Sequence, residues 1–376
     1  MTKSKLKPIK VGIVVGKMVG GGVEAMLLNF LECCDLDKFA VDFIIDADST
    51  SVPVQVIRQL GGQIHYVPPY QDVICYQTVL IRLFKRERYQ IVHANISALN
   101  VFPMFAAFVS RVPVRIAHNH NLIAANDGFK KNTLKRVLAP WNTLFPTIYV
   151  APTVQSGRWI FKRHPFEVVK NGIDSQRFKF SEVIRRDIRT TLQIKDSQIL
   201  IGSFTRFVNC KRLFFALDVI EKLVLKNPNF RFLLIGDGPL KNKLKTHVAA
   251  NPILQTAVTI LSSQHQIEKY YSALDCYLFP SSVEAFGMTA VEAQVNGLQT
   301  FVSAGIPTEA RISTTLFKVV ADYQVEHWCE QIMANTKVMN NRGLLSNQMV
   351  AHNHLSSQQM AGQLEHIYQQ AIKRRL

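Results

Sequence analysis

The sequence predicts an α/β protein made of two doubly wound, parallel-sheet domains. Three observations carry this. The chain has 376 residues, too many for one ordinary domain and enough for two, each with a core of its own. Short β-branched or aromatic runs alternate with longer amphipathic stretches, as parallel strands joined by crossover helices require. The alternation breaks at the turn-rich polar segment VVKNGIDSQRF, residues 168–178, and then begins again.

In the first half the predicted strands are IKVGIVVG (9–16), VDFIID (41–46), QIHYV (63–67), QIVHA (90–94), PVRIAH (113–118) and TIYVA (147–151). In the second half they are ILIGSF (199–204), FRFLLIG (230–236), AVTIL (257–261), LDCYLF (274–279) and TFVS (300–303). The expected domains are residues 1–172 and 173–355, both Rossmann-like. Residues 356–376 form a closing helix expected to pack back toward the first domain. Its Lys373, Arg374 and Arg375 suit a helix C-terminus, where cations meet the negative end of the dipole. Such domains take ligands at the carboxyl ends of their strands, here expected to face each other across a cleft.

Composition narrows the function classes. Apolar residues are 48% and charged residues 19% of the chain, a globular balance. No apolar run approaches the ~18 residues of a membrane span, and MTKSKLKPIK precedes no signal-peptide core, so a cytoplasmic location is expected. The six cysteines, Cys33, Cys34, Cys75, Cys210, Cys276 and Cys329, show no metal-binding spacing and suggest no disulfide framework. The net charge of +17 is spread evenly: 21 Lys+Arg against 12 Asp+Glu in residues 1–175, and 23 against 15 in residues 176–376. An evenly basic protein binds nucleic acid, lies on anionic lipid, handles phosphorylated substrates, or simply carries a soluble basic surface. Nucleic acid is the weakest of these, because no recognition motif or stacking platform accompanies the charge.

Three segments carry candidate chemistry. The run VVGKMVGGGVEAMLLNF places Gly20, Gly21 and Gly22 between a strand and a helix starting near Val23. Glycines let backbone approach a ligand, and a helix N-terminus offers N–H groups to an anion; a plain tight turn is the alternative. It is neither a G-x-G-x-x-G nor a P-loop motif. In IGSFTRFVNCKR a strand delivers Arg206 and Lys211 to a sheet edge, where the pair can converge on a diphosphate or stand solvated. In FPSSVEAFGMTAVEAQVNG, Glu284 falls in a loop and Glu292 in the following helix. Both carboxylates can then face one site with the backbone of Ala285, Phe286, Gly287 and Met288 between them, accepting hydrogen bonds from vicinal hydroxyls; a solvated helix face is the alternative.

In order, the glycine loop, AHNHN, NGID, R-x4-K, LLIGDGPL, E-x7-E with EAQ, and VSAGIP-x-EA resemble the GT4 glycosyltransferases of GT-B architecture, particularly the branch that assembles bacterial capsular and exopolysaccharides. The resemblance implies retaining transfer of a sugar from a UDP- or GDP-sugar, without metal or other cofactor, to a sugar acceptor, here expected to be polyprenyl-diphosphate-linked. By motif, Arg206 and Lys211 would hold the diphosphate, Glu292 the ribose, and Glu284 with the 285–288 backbone the transferred sugar. The Gly20–Gly22 loop would close toward the phosphates. A family histidine at the reaction centre corresponds to His118 or His120, with His120 slightly favoured because it lies further past the strand.

Thr205 and Arg212 flank the Arg/Lys pair where relatives carry Gly and Asn, and EAFG replaces the usual EGLP. Ala285 and Phe286 are therefore expected to shape the sugar pocket. The basic-aromatic stretches LIRLFKRERYQ (80–90) and GFKKNTLKRVLAPWNTLF (128–145) have the composition of helices lying on anionic lipid, which predicts peripheral docking on the inner leaflet. A non-catalytic subunit supporting another transferase and a sugar-nucleotide epimerase of the same architecture are the alternative functions.

Overall fold

The structure is a computed structural model and describes residues 7–122, 133, 136–336, 341–352 and 354–374. The chain divides into two compact units, with a boundary between Ile173 and Asp174 and a return to the first unit at Leu355.

The first unit holds a seven-stranded parallel sheet: β1 (Ile9–Gly16), β2 (Phe39–Asp46), β3 (Gln63–Val67), β4 (Ile91–Ala94), β5 (Val114–His118), β6 (Ile148–Ala151) and β7 (Glu167–Val168), in the order β3-β2-β1-β4-β5-β6-β7. Chain order reverses between β1 and β4, so the loops after these strands diverge and leave room for a ligand. One face of the sheet is covered by the helix Gly22–Cys33 through Met26, Leu27, Phe30 and Leu31, and by the closing helix Ser357–Lys373 through Met360, Leu364 and Tyr368. The other face packs on Tyr76, Leu80 and Phe84 of the helix Val73–Glu87, and on Met104 and Ala107. Residues 357–373 thus complete the core of the first unit although they follow the second in sequence.

The second unit has six parallel strands: β8 (Ile199–Phe204), β9 (Phe230–Ile235), β10 (Val258–Leu261), β11 (Cys276–Phe279), β12 (Gln299–Ser303) and β13 (Phe317–Val320), ordered β10-β9-β8-β11-β12-β13. Its reversal lies between β8 and β11. Its core gathers Leu217, Ile220 and Leu223 of the helix Leu213–Lys226 with Phe232, Leu278, Phe301 and Trp328.

The sequence reading misses β7 and β13. Both lie at sheet edges; β7 has two residues, both exposed, and β13 exposes Val319 and half-buries Lys318, so neither presents an apolar run. The lipid-surface expectation also needs revision over residues 80–90. Leu80, Leu83, Phe84 and Tyr89 are buried in the core, and the side left to solvent carries Arg82, Lys85, Arg86 and Arg88. Of the second basic stretch, Arg136 is exposed, while Lys130, Lys131 and Lys135 lie outside the described residues. Among the described residues no helix is long and apolar enough to cross a membrane. Part of the basic excess is structural: Arg342 is buried and donates to the carbonyls of Tyr271, Ser272 and Leu274, and buried Arg189 pairs with Asp275.

Candidate active site

In the second unit the predicted residues gather at the reversal point. Beyond β8 the chain enters Thr205–Arg206, and this loop is pinned by the IGDGP segment that follows β9. Phe207 N donates to Asp237 O (2.8 Å) and Leu240 N to Phe207 O (3.1 Å). Backbone packs on backbone here: a Cβ on Gly236, where φ is +157°, would fall 1.9 Å from Thr205 O. Only glycine fits such a place. The exposed Arg206 therefore stands on a rigid base.

Past β11, the loop 280–284 is tied to the same segment, with Ser282 N donating to Cys210 O at 2.8 Å. This brings Lys211 and Glu284 together in an ion pair, both side chains largely buried at 16% and 14% exposure. The Lys211 ammonium also lies 5.1 Å from the centre of the Phe279 ring. The family resemblance assigns these two residues to different parts of one ligand; in the fold they are each other's partner. Gly287, in the left-handed region at φ +94°, caps the helix Met288–Val295 and supplies no side chain to its first-turn N–H groups, which leaves that end suited to an anion or hydroxyl oxygen. Phe286 is only 3% exposed and so lies packed within its domain, while Ala285 and Met288 are half-buried.

Glu292 is half-buried and accepts a 2.6 Å hydrogen bond from the Tyr271 hydroxyl. Burial raises its pKa to about 7, although Tyr271 and the Arg177 guanidinium pull the other way. Tyr271 is itself buried among Phe178, Phe204 and Tyr277. Sequence reasoning misses its role because the Tyr271–Glu292 contact joins two helices 21 residues apart.

In the first unit the glycine loop differs from the simple picture of open N–H groups. Glu24, in the first turn of its own helix, folds back so that its carboxylate accepts from Val19 N (2.8 Å) and Gly20 N (2.6 Å), while Met18 N donates to Ser49 Oγ (2.9 Å). The segment before Gly21 and Gly22 is thus held from inside by a carboxylate that sequence reasoning overlooks.

Both candidate histidines are buried, His118 at the end of β5 and His120 two residues beyond. A third, His93 on β4, joins them. His93 Nε2 lies 3.1 Å from His118 Nδ1, and His93 Nδ1 lies 2.7 Å from the Tyr368 hydroxyl of the closing helix. The His118 and His120 ring centres are 3.9 Å apart, and His120 Nε2 is 2.9 Å from Asn95 Oδ1. Burial pushes His93 and His120 down to about 3 and His118 well below its usual value, so all three are neutral at physiological pH. His93 hides in the sequence as one more residue of a strand, because only sheet order brings β4 beside β5.

Among the described residues one trio, Asp42, His65 and Glu87, brings metal-type donor atoms within 4.8 Å of one another. Lys10 Nζ sits 2.6 Å from Glu87 and 3.8 Å from Asp42, so a side-chain cation already answers its charge.

The family model described as Glycosyltransferase Family 4 matches residues 20–177, and that described as Glycosyl transferases group 1 matches residues 184–348. EpsF of Bacillus subtilis, a glycosyltransferase by name, is 24% identical over 366 residues, 94% of this chain and 95% of its own. The UDP-Gal:alpha-D-GlcNAc-diphosphoundecaprenol alpha-1,3-galactosyltransferase of Escherichia coli is 23% identical over 331 residues, 80% of this chain and 81% of its own. Among solved structures, Anabaena HepE in complex with UDP and glucose superposes with a TM-score of 0.79 at 17% identity, covering 96% of this chain and 99% of that one. WaaG, a glycosyltransferase involved in lipopolysaccharide biosynthesis, gives 0.73 at 16% identity, over 93% and 98%. Two consecutive domain matches, full-length bacterial relatives and two parallel sheets of this order lead to one conclusion: the chain is a GT-B glycosyltransferase of the GT4 family.

Proposed function

We propose that the protein is a retaining, metal-independent glycosyltransferase that moves a sugar from a UDP- or GDP-sugar to a lipid-linked sugar acceptor in cell-surface polysaccharide synthesis. The observation that carries this is the Lys211–Glu284 pair standing before the Met288–Val295 helix, whose first turn has no side-chain cap and which itself carries Glu292, with Arg206 just beyond β8. Arg206 and Lys211 would neutralise the diphosphate as it departs, which is the largest electrostatic demand of the reaction. Glu284, released from Lys211 by the incoming phosphate, would accept from hydroxyls of the transferred sugar together with the N–H groups near Gly287 and Met288. Glu292 would hold the ribose hydroxyls, and the Gly20–Gly22 loop would offer backbone N–H groups to a phosphate. Retention then follows from front-side attack, with the leaving phosphate taking the acceptor proton, and the neutral, buried His118 and His120 would orient groups at the reaction centre.

The acceptor class draws support from the Escherichia coli relative, whose name specifies a diphosphoundecaprenol-linked sugar. A place at the inner leaflet is supported by exposed Phe108, Trp141 and Leu144 on the first unit, together with the exposed Arg82, Lys85, Arg86 and Arg88. Titration calorimetry against UDP- and GDP-sugars, followed by product analysis with polyprenyl-diphosphate-linked acceptors, tests the reading. Release of nucleotide only when acceptor is present is expected. An isomerised nucleotide sugar formed without acceptor would make it an epimerase, and binding of no nucleotide sugar would leave only a supporting subunit.

A further inference from the structure

The carboxylate of Glu292 is held by a side chain that is itself locked in place. Tyr271 lies on the helix Ile267–Ala273 of the second unit, and its ring is fully buried against Phe204, Tyr277 and Phe178, with ring centres 4.8, 5.6 and 5.7 Å away. The end of that helix is fixed from behind: the buried Arg342 guanidinium donates to the carbonyls of Tyr271 (2.7 Å), Ser272 (3.3 Å) and Leu274. The neighbouring Tyr277 hydroxyl is committed as well, since it donates to Phe204 O and accepts from Phe204 N, both at 3.0 Å. The core therefore sets where the Tyr271 hydroxyl stands. Of the two partners it is the glutamate, on its flexible chain, that must come to the tyrosine.

The bond between them uses one carboxylate oxygen and leaves the other. Burial, and after it the charge of Glu292, holds the Tyr271 phenol well above its ordinary pKa, so it stays protonated and donates to Glu292 Oε2 at 2.6 Å. An ionised carboxylate can only accept. Glu292 Oε1 has no hydrogen bond among the described residues, and it is not sealed from solvent, because the glutamate is only half-buried. Three further titratable groups act here: Arg177 favours the ionised carboxylate, Glu268 opposes it, and the phenol of Tyr277 is kept protonated by burial. Arg177 and Glu268 pair with each other at 3.0 Å, so Tyr271 is the one side chain bonded to the Glu292 carboxylate among the described residues.

We propose that Tyr271 is a positioning residue of the donor site: its immobile hydroxyl holds Glu292 Oε2 and so presents Oε1 to the ribose hydroxyls of a nucleoside diphosphate, without touching the ligand itself. The ligand class rests on the glycosyl-transfer reading, whereas the hold of Tyr271 on Glu292 stands independently of it. A side chain fixed before the ligand arrives loses little freedom on binding, which strengthens recognition. The donated proton also favours the ionised form, so Glu292 remains an acceptor over a pH range in which burial alone would protonate it. One of the rings that lock Tyr271 is Phe204, two residues before Arg206, so a single aromatic bed supports both the ribose carboxylate and the arginine of the phosphate loop.

Calorimetry on the full chain, with UDP and GDP each set against its 2′,3′-dideoxy counterpart, isolates the ribose contribution, because the phosphates titrate alike within each pair. For the nucleotide that binds, Glu292→Gln and Tyr271→Phe are both expected to lower the preference for ribose, Tyr271→Phe by about ten-fold, while binding of the dideoxy form is unchanged. The double variant is expected to fall no further than Glu292→Gln alone. Carboxyl 13C spectra across pH should show Glu292 titrating at about 7 in the wild type and at higher pH in Tyr271→Phe. Equal weakening of both forms of the nucleotide in Tyr271→Phe overturns the proposal, since a merely structural tyrosine does that. An additional loss in the double variant, or a Glu292 titration that stays in place, overturns it too. Wild-type binding of neither nucleotide, or a ribose preference that survives Glu292→Gln, overturns the ribose assignment; a Glu292 titration that still moves in Tyr271→Phe then locates the failure in the functional reading and not in the hold.

Discussion

Replacing Gly236 by alanine separates the second domain's fold from its chemistry in one experiment. The new methyl would lie 1.9 Å from Thr205 O and 2.9 Å from Phe207 Cε1, while real Cβ atoms essentially never come closer than 3.0 Å, so the two backbones must part by about 1 Å. Alanine at φ +157° adds strain of ~1–3 kcal/mol, and overpacking adds ~1–3 kcal/mol more. A loss of roughly 2–6 kcal/mol is a large fraction of the ~5–15 kcal/mol that holds a domain together. Thr205 immediately precedes Arg206, so the same movement displaces the guanidinium, and a ~1 Å misplacement of a positioning group costs on the order of 100-fold in turnover. The second unit can be watched alone: Trp328 is fully buried there and donates to Asp322 O at 2.7 Å, while Trp141 and Trp159 belong to the first unit. In a Trp141→Phe, Trp159→Phe background, Gly236→Ala should lower the urea midpoint of Trp328 fluorescence and weaken nucleotide-sugar binding at least ten-fold in calorimetry under native conditions. Gly362→Ala is the control, because a Cβ on this exposed residue of the closing helix meets nothing within 4 Å; it should be neutral or stabilising by ~0.5–1 kcal/mol. Wild-type midpoint and affinity in Gly236→Ala would refute the claim that backbone contact positions Arg206.

Other consequences are as direct. Glu292 has a folded pKa of about 7 against 4.5 for the free side chain, so the folded state binds its proton more tightly and stability falls as pH rises from about 4.5 to 7. The loss should be on the order of 3 kcal/mol, and Glu292→Gln should abolish it in urea titrations across that range; an unchanged pH profile would show that the carboxylate is already ionised in the fold. Lys211→Ala and Glu284→Ala should each weaken donor binding about ten-fold or more, and the double variant should lose less than the two effects combined because the residues are paired, which calorimetric double-mutant cycles measure. Glu24→Ala strips the acceptor from Val19 N and Gly20 N, both on exposed residues that water can partly serve, so a stability loss of about 1–2 kcal/mol by urea unfolding is expected. Charge reversal at Arg82, Lys85, Arg86 and Arg88 should reduce sedimentation with anionic phospholipid vesicles; unchanged binding would remove the membrane proposal.

Local pattern determined a good deal of this protein. Eleven strands were legible because each presents a short β-branched or aromatic run to a buried sheet, and the two series divided by residues 168–178 specified two doubly wound domains. Arg206, Lys211, Glu284 and Glu292 could be picked out as well, since spacing along a strand end, loop and helix is a local property. Tertiary structure alone decided who meets whom. Lys211 and Glu284, 73 residues apart, become partners because β11 lies beside β8 in the sheet. Tyr368 reaches His93 across 275 residues because an apolar stripe on the closing helix is buried on the first sheet. Glu24 looked like one more polar residue on a helix until its carboxylate was seen to turn back onto the glycine loop. The sequence sets which groups exist and which face of each element is apolar, whereas proton positions and ion pairs depend on distances of a few ångströms between distant segments, which only the packed sheets fix.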